Sequence, residues 1–450
     1  MTRLWLPCGM RSRLARGTEP LYRSLQAVSS LRSKLSRLES TVARAMPPSE
    51  PVAAGGRVAL LDDLRTRIQA TLERTARRAP AAVPPVDTFE LPFATEPTPE
   101  GPLHVRALRL SHAHRTGRAP VAPARRAQRD LLALLALDPG LAACDPARAL
   151  YLDTETTGLA GGAGTVAFLV GLAFWDEGGL VLEQLLVRAL GEEAPMLARV
   201  RQRLEQASML VTFNGKSFDM PLLRTRFVMA RMEPPPCPPH LDLLHVARRI
   251  HGKTLRQSCR LVALEREVLG FERQDDIEGG DVAACYLHFL RTGDARSLMQ
   301  VVEHNAWDVV AMAALVGLYG EPLDGALGAQ HLAGVARTLR RAGALDRAGA
   351  MAEEAVMRSP GPDSLRARAD IAKARGDRAQ ALADFETLAA TVDDPSVRLE
   401  LAKLYEHWRR EPAQALSWTL RGTGEDDAHA RRRAERLSRK SEKARTKRGA

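Results

Sequence analysis

Two carboxylates two residues apart, Asp153 and Glu155, mark the stretch with the clearest chemistry, Tyr151 to Trp175 (YLDTETTGLAGGAGTVAFLVGLAFW). A short apolar entry leads into Asp153-Thr154-Glu155, a glycine-rich turn follows, and an apolar, β-prone run goes from Thr165 to Trp175. This pattern predicts a hairpin with both acids on one strand and a largely buried partner strand. Residues two apart in a strand share a face, so the two carboxylates project together and repel. A solvated strand end could carry such a pair, but this one lies inside a hydrophobic run. A cation between them would relieve the repulsion.

Two further acids complete the candidate set. Asp219 follows the short strand Met209 to Phe213 and the turn Asn214-Gly215, at the start of a helix. An acid there is also a good helix cap or dipole partner. Asp308 sits four residues after His304 in VVEHNAWDVVAMAALVGLYG (Val301 to Gly320), on one face of a predicted helix. An ordinary exposed His–Asp pair would show the same spacing. If Asp153, Glu155, Asp219 and Asp308 converge, the all-oxygen site suits Mg²⁺ or Mn²⁺ and not zinc. Two such ions about 4 Å apart activate a water and stabilise the leaving oxygen of a phosphodiester. Asp153 would bridge the ions, Glu155 and Asp308 would hold one, and Asp219 would assist through water. His304 would orient or deprotonate the water. Asn214 and Lys216 lie near enough to contact an anionic backbone.

These residues need elements to hold them. His104 to Leu110 alternates as a strand, Arg125 to Leu137 reads as a helix, Leu180 to Val187 as a third strand, and Glu193 to Gln206 as a helix. Asp242 precedes a helix that ends near Arg249 and could cap it or orient a neighbour. His240 and His245 lack partners at zinc-ligand spacing. Leu261 to Leu269 reads as helical, and Phe271 to Asp281 (FERQDDIEGGD) as a polar, solvated loop.

The composition is that of an ordinary globular chain, 45% hydrophobic and 26% charged, with aliphatic cores because aromatics are only 4%. Cys8, Cys144, Cys237, Cys259 and Cys285 show no paired spacing, so neither a disulfide framework nor a zinc site is expected. No uncharged apolar run reaches 18 residues, so no membrane span is expected and a cytoplasmic location is. The net charge of +11 is uneven: residues 1–49 carry +7, residues 431–450 carry +8, and the body between is −4. Such ends either attract a polyanion such as nucleic acid or act as solubilising tails.

Residues 1–100 read as a basic, Pro-rich and largely disordered arm and linker, with short helices over residues 20–45 and Leu60 to Arg78. Beyond Gly320 the pattern becomes all-helical. Segments starting at Gly376 and Arg410 align at a spacing of 34, and one starting at Gly343 aligns at 33. That period is the one of tetratricopeptide helix pairs, over residues 328–422, with Gly376, Ala381 and Phe385 in the small–small–aromatic pattern. Such a region would offer a groove to a protein partner or brace the domain before it. Residues 423–450 read as a basic disordered tail.

The segments DTETTGL (153–159), FNGKSFDMPLL (213–223) and HNAWDVVAM (304–312) resemble the three motifs of four-carboxylate exonucleases of the ribonuclease-H-like superfamily. The longer wording, with DLLHVARR and DDIEGGD, is similar to the YprB-type branch over about residues 100–320. The resemblance implies an α/β fold, a ribonuclease-H-like mixed sheet with flanking helices over 101–322, followed by the all-α repeats. It also implies metal-dependent cleavage of nucleic acid, most often 3′→5′, with Asp153, Glu155, Asp219 and Asp308 as metal ligands and His304 beside them. It places Thr156, Gly158 and Leu159, with Asn214 and Lys216, at the substrate. One departure stands: the major subgroups place Tyr four residues, or His five, before the last Asp, whereas here His304 is four before and Glu303 five before.

Three readings follow from the sequence: a metal-dependent nuclease of single strands, a non-catalytic nucleic-acid-binding scaffold, and a two-metal hydrolase of a small nucleotide.

Overall fold

A computed structural model describes residues 90–158, 164–252, 255, 259–323 and 327–449. The helices expected over residues 20–45 and Leu60 to Arg78 lie outside the described residues. The centre is a seven-stranded mixed sheet. Its strands are β1 (Ala94–Thr98), β2 (Gly101–Leu110), β5 (Ala149–Thr156), β6 (Ala167–Trp175), β7 (Leu180–Leu186), β8 (Met209–Thr212) and β9 (His240–Asp242). A separate two-stranded ribbon pairs β3 (Arg115–Thr116) with β4 (Ala119–Pro120). The order across the large sheet is β1-β2-β7-β6-β5-β8-β9. All pairs are antiparallel except β5–β8 and β8–β9, which are parallel. β1 extends the sheet into the segment expected as linker.

Alternation along β5 sorts its side chains onto two cores. Leu150 and Leu152 join a cluster with Val170, Leu172 and Leu210, covered by α2 (Ala194–Gln206) and α3 (Asp219–Met229). Tyr151 faces the other way, into a cluster built with α1 (Arg129–Ala136), α4 (Leu243–His251) and α7 (Arg296–Gly320). Asp153 and Glu155 share Tyr151's face by the same alternation, so they point toward α7. Between α4 and α7 run α5 (Leu261–Leu264), which continues into a wider π turn at Glu265–Leu269, and α6 (Val282–Thr292).

The position of α7 is set by Gly171 on β6. A Cβ there would lie 2.2 Å from Asn305 Oδ1 and 2.8 Å from Val309, so only glycine lets the helix sit this close. α7 is long and apolar enough to cross a membrane by length and composition, yet 78% of its most apolar stretch is buried within the protein. It is the core helix of the domain.

The helical region comprises α8 (Ala329–Arg341), α9 (Leu345–Arg358), α10 (Pro362–Arg375), α11 (Arg378–Thr391), α12 (Pro395–Leu404) and α13 (Pro412–Leu420). The three repeat markers are structurally equivalent: Gly343, Gly376 and Arg410 all have left-handed backbone, with φ of 83°, 85° and 58°. The core is continuous across the junction expected near 322–328. Leu332, Ala333, Val335 and Ala336 of α8 belong to the same cluster as Tyr151 and α7. A Cβ on Gly334 would meet the Ile250 carbonyl oxygen at 2.1 Å, so α8 lies directly on α4. α10 to α13 have a core of their own around Phe385 and Leu401.

The tail expected to be disordered is a helix, α14 (Asp427–Gly449). Leu437 is fully buried in that last core. Glu406, with its side chain fully buried, accepts hydrogen bonds from Arg436 at 2.8 and 2.9 Å and from Lys440 at 2.8 Å. One leucine and two cations on one face thus dock a helix whose other residues are mostly charged, polar or alanine.

Gly171→Ala should lower the unfolding free energy by about 1–3 kcal/mol, the usual range for overpacking a filled core. Urea titration of the two proteins would read the difference.

Candidate active site

β5 is the strand at which the sheet changes sense, antiparallel to β6 and parallel to β8. Its pairing with β8 ends at Tyr151–Val211, whereas its pairing with β6 continues to Thr156. The end of β5 therefore projects past β8 into a crevice at the switch point, where open α/β sheets place ligands. The β5–β6 register also shifts between Glu155 and Thr156, a bulge that twists the strand end.

Four carboxylates gather there from three elements. Asp153 and Glu155 come from β5, Asp219 from the first turn of α3 and Asp308 from the middle of α7. Glu155 and Asp219 are buried, and Asp153 and Asp308 are partly exposed. Ligand atoms of Glu155, His304 and Asp308 all lie within 4.8 Å of one another. Asp219 approaches from the opposite face of β5, where Thr154 donates to its Oδ1 at 2.6 Å. It occupies the first helical turn, yet its side chain is spent on Thr154 and not on a cap.

The electrostatics record the crowding. Loss of water raises Asp153 well above the ordinary carboxylate range, and the charges of Asp308, Glu155 and Asp219 raise it further. Burial pushes Glu155 up to about 8, against the pull of His304 and with the help of Asp308 and Asp219. Burial raises Asp219 to about 6, partly offset by its Thr154 bond. Burial alone would lower His304. Asp308, Glu155 and a hydrogen bond to Asp276 outweigh it and raise the imidazole.

Most of the loop Phe271 to Asp281 is exposed as expected, but Arg273 and Asp276 turn inward and close one side of the site. The Arg273 side chain is 2% exposed and bonds Asp308 directly. It also binds Glu265 of the π turn through Nε at 2.6 Å and Nη2 at 2.8 Å, and its guanidinium lies 5.6 Å from the Trp307 ring centre. The hydrogen-bonded charges of Glu265 and Asp308 offset the burial of this cation and hold it firmly protonated. Asp276 Oδ1 lies 2.7 Å from His304 Nδ1. Neither residue could be found by periodicity, because each meets its partner about 30 positions away across an irregular loop.

A second support is buried and neutral. Asn305 Nδ2 donates to Asp153 Oδ2 at 2.9 Å. Gln184 Nε2 donates to Asn305 Oδ1 at 3.0 Å and to the Val302 carbonyl at 2.8 Å. Arg106 donates to Gln184 Oε1 at 2.9 Å and to Glu303 at 2.8 Å. Glu303, five residues before Asp308, therefore faces away from the carboxylates, and His304 is the member of that pair that meets them.

Asn214 adopts left-handed backbone, φ 70°, and its N–H donates to Asp242 Oδ1 at 2.8 Å. The Lys216 N–H donates to Asp242 Oδ2 at 3.1 Å, and Asp242 also caps α4 through the Leu244 N–H. Asp242 thus does both things expected of it. The Lys216 side chain is exposed, and next to Asp219 the Phe218 ring is 59% exposed. Thr156 Oγ1 donates to the Gly158 carbonyl at 3.0 Å, beside open space at Gly158. Leu159 lies outside the described residues.

The mixed sheet, its order, and the acids at the end of its switch strand define a ribonuclease-H-like domain. Residues 150–319 match the RNase_H superfamily. Over 167 residues the chain is 37% identical to the uncharacterized protein YprB of Bacillus subtilis (strain 168), a stretch that is 37% of this chain. The chain spans 40% of that relative's length. Residues 150–319 therefore form a ribonuclease-H-like domain that is similar in sequence to YprB.

Glu155 and Asp219 bind protons in the folded state at pH values where the unfolded chain has released them. The stability this gives is complete below the ordinary carboxylate range, near pH 4, and is lost as pH rises to about 8. The metal-free protein should therefore melt at progressively lower temperature from about pH 5 to pH 8. Added Mn²⁺ should raise the melting temperature most at the upper end, since a cation competes with those protons. Calorimetry with EDTA and with Mn²⁺ would check both slopes.

Proposed function

We propose that residues 101–322 form a metal-dependent nuclease that hydrolyses the phosphodiester bonds of single-stranded nucleic acid, acting 3′→5′ as an exonuclease. The observation that carries this reading is the gathering of Asp153, Glu155, Asp219 and Asp308 at one strand end, where burial and mutual charge raise the carboxyl groups of Asp153, Glu155 and Asp219. Such a cluster is costly unless a cation shares it. The candidate ligands are carboxylate oxygens, a set that suits Mg²⁺ or Mn²⁺, with the His304 imidazole beside them. The four acids are the residues to hold two such ions. When bound, the ions would lower the pKa of a water and stabilise the leaving oxygen.

The chain's own groups supply the rest. His304 stands beside Glu155 and Asp308, placed to take the proton of the attacking water. Asn305 orients the Asp153 carboxylate. Asn214, Lys216, Thr156, Gly158 and Leu159 are the substrate-binding candidates, with Lys216 offering a cation to a phosphate. The exposed Phe218 ring offers a base a stacking face, which favours a single strand over a duplex. The basic α14 adds attraction for a polyanion, and the helical repeats offer a surface to a protein partner.

The test is cleavage of end-labelled single-stranded DNA and RNA with Mn²⁺, Mg²⁺ or EDTA. The expected result is a ladder shortening from the 3′ end, abolished by EDTA, by Asp153→Asn and by Asp308→Ala. Retained cleavage in both variants would overturn the assignment. Binding without cleavage by the wild-type protein would favour a binding module. Asp153→Asn should also stabilise the metal-free protein by about 1 kcal/mol, because it removes a carboxyl group that can ionise in the crowded site only at a cost. Phe218→Ala should weaken binding of a single strand by about 1–3 kcal/mol, read by fluorescence anisotropy.

A further inference from the structure

His304 Nδ1 has two polar neighbours that ask for opposite protonation. Asp276 Oδ1 lies 2.7 Å away and Arg273 Nη1 3.1 Å away. An ionised carboxylate only accepts hydrogen bonds and a guanidinium only donates them. A proton on Nδ1 satisfies Asp276, whereas a lone pair on Nδ1 satisfies Arg273. Distance decides between them. At 2.7 Å an unprotonated Nδ1 would set its lone pair against a carboxylate lone pair, while a protonated Nδ1 makes a short, charge-assisted bond. Arg273 depends little on His304, because Glu265, Asp308 and Asp276 Oδ2 (3.3 Å from Nη1) already take four of its five N–H donors.

With the proton on Nδ1, the neutral ring carries its lone pair on Nε2. That nitrogen lies on the site's side, 3.6 Å from Asp308 Oδ2. Nδ1 belongs to Asp276 and Nε2 to the carboxylates.

We propose that Asp276 is a positioning residue: it fixes His304 as the Nδ1–H tautomer, so that the Nε2 lone pair faces the carboxylate cluster. The inference rests on the nuclease reading for its purpose and on hydrogen-bond geometry for its substance. In that reaction the attacking water gives its proton to Nε2, and Asp276 balances the charge of the imidazolium that results. A carboxylate holding the far nitrogen of a functional histidine is a general device for setting tautomer and ring orientation. Here it comes from a loop, while the histidine comes from the core helix. The ring contact of Phe271 with Trp307, at 6.3 Å, and the contact of Arg273 with the same indole fix that loop against α7.

The experiment is nitrogen NMR of the full-length protein labelled with ¹⁵N-histidine, without added metal, with the pH raised until the His304 signals stop shifting and report the neutral ring. The His304 signals are assigned by their loss in His304→Gln. The wild-type protein should show Nδ1 protonated and Nε2 bare. Asp276→Asn, which keeps an acceptor oxygen, should retain that tautomer. Asp276→Ala should shift the ring toward Nε2–H, the form Arg273 favours. In cleavage, Asp276→Ala should lower kcat by about 10–100-fold with KM little changed, and Asp276→Asn by less.

A wild-type His304 in the Nε2–H form would overturn the proposal, whether or not the variants fold. So would an unchanged tautomer in a folded Asp276→Ala. If wild-type protein cleaves neither polymer, the nuclease reading fails and the tautomer result still decides the role of Asp276.

Discussion

Mutual repulsion among four carboxylates at the end of β5 is the constraint around which this domain is arranged. Asp153 and Glu155 are forced together by strand alternation, and Asp219 and Asp308 are brought to them by two helices from opposite faces of the sheet. Each acid has its own restraint. Thr154 holds Asp219, Asn305 holds Asp153, Arg273 holds Asp308, and the His304 ring lies beside Glu155. The restraints are not interchangeable. Arg273 brings a charge and needs Glu265 to balance its burial, whereas the Asn305–Gln184 chain is neutral and can sit in the core at low cost.

Much of this geometry is legible in the sequence. The hairpin shows in the period-two pattern around Asp153, and the helix of Asp308 in its apolar spacing. The sheet and the helical region beyond it match the fold class that the motifs imply. What escapes sequence reasoning is instructive. Arg273 and Asp276 look like members of an ordinary polar loop, because their partners Glu265, His304 and Asp308 are remote and only the fold brings them near. Asn305 and Gln184 are neutral amides inside apolar elements, where no pattern separates a structural amide from one serving a carboxylate. The docking of α14 escapes for the opposite reason. Its sequence is so basic that one buried leucine and a buried glutamate thirty residues away leave no periodic trace.

The glycines tell a related story. Gly171 lets α7 meet the sheet and Gly334 lets α8 meet α4, each at a place where a single methyl group would collide with a neighbour. By contrast, Arg410 stands in left-handed backbone where the two equivalent repeat positions have glycine. The same backbone conformation with a different residue type is not visible in the sequence pattern.

α7 also joins two things that a domain diagram would separate. Its middle turns carry His304, Asn305 and Asp308. Its last turn carries Tyr319, whose hydroxyl lies 2.9 Å from the buried His251 ring, which in turn meets His331 of α8 edge-on. With a rise of about 1.5 Å per residue, roughly 16 Å of one rigid rod lies between Asp308 and that junction. A cut between α7 and the helical region would expose the α8 side chains that complete the core around α7. The stretch that the motifs mark out is therefore shorter than the stretch that shares one core, and α8 belongs by packing to the ribonuclease-H-like domain as much as to the helices that follow it.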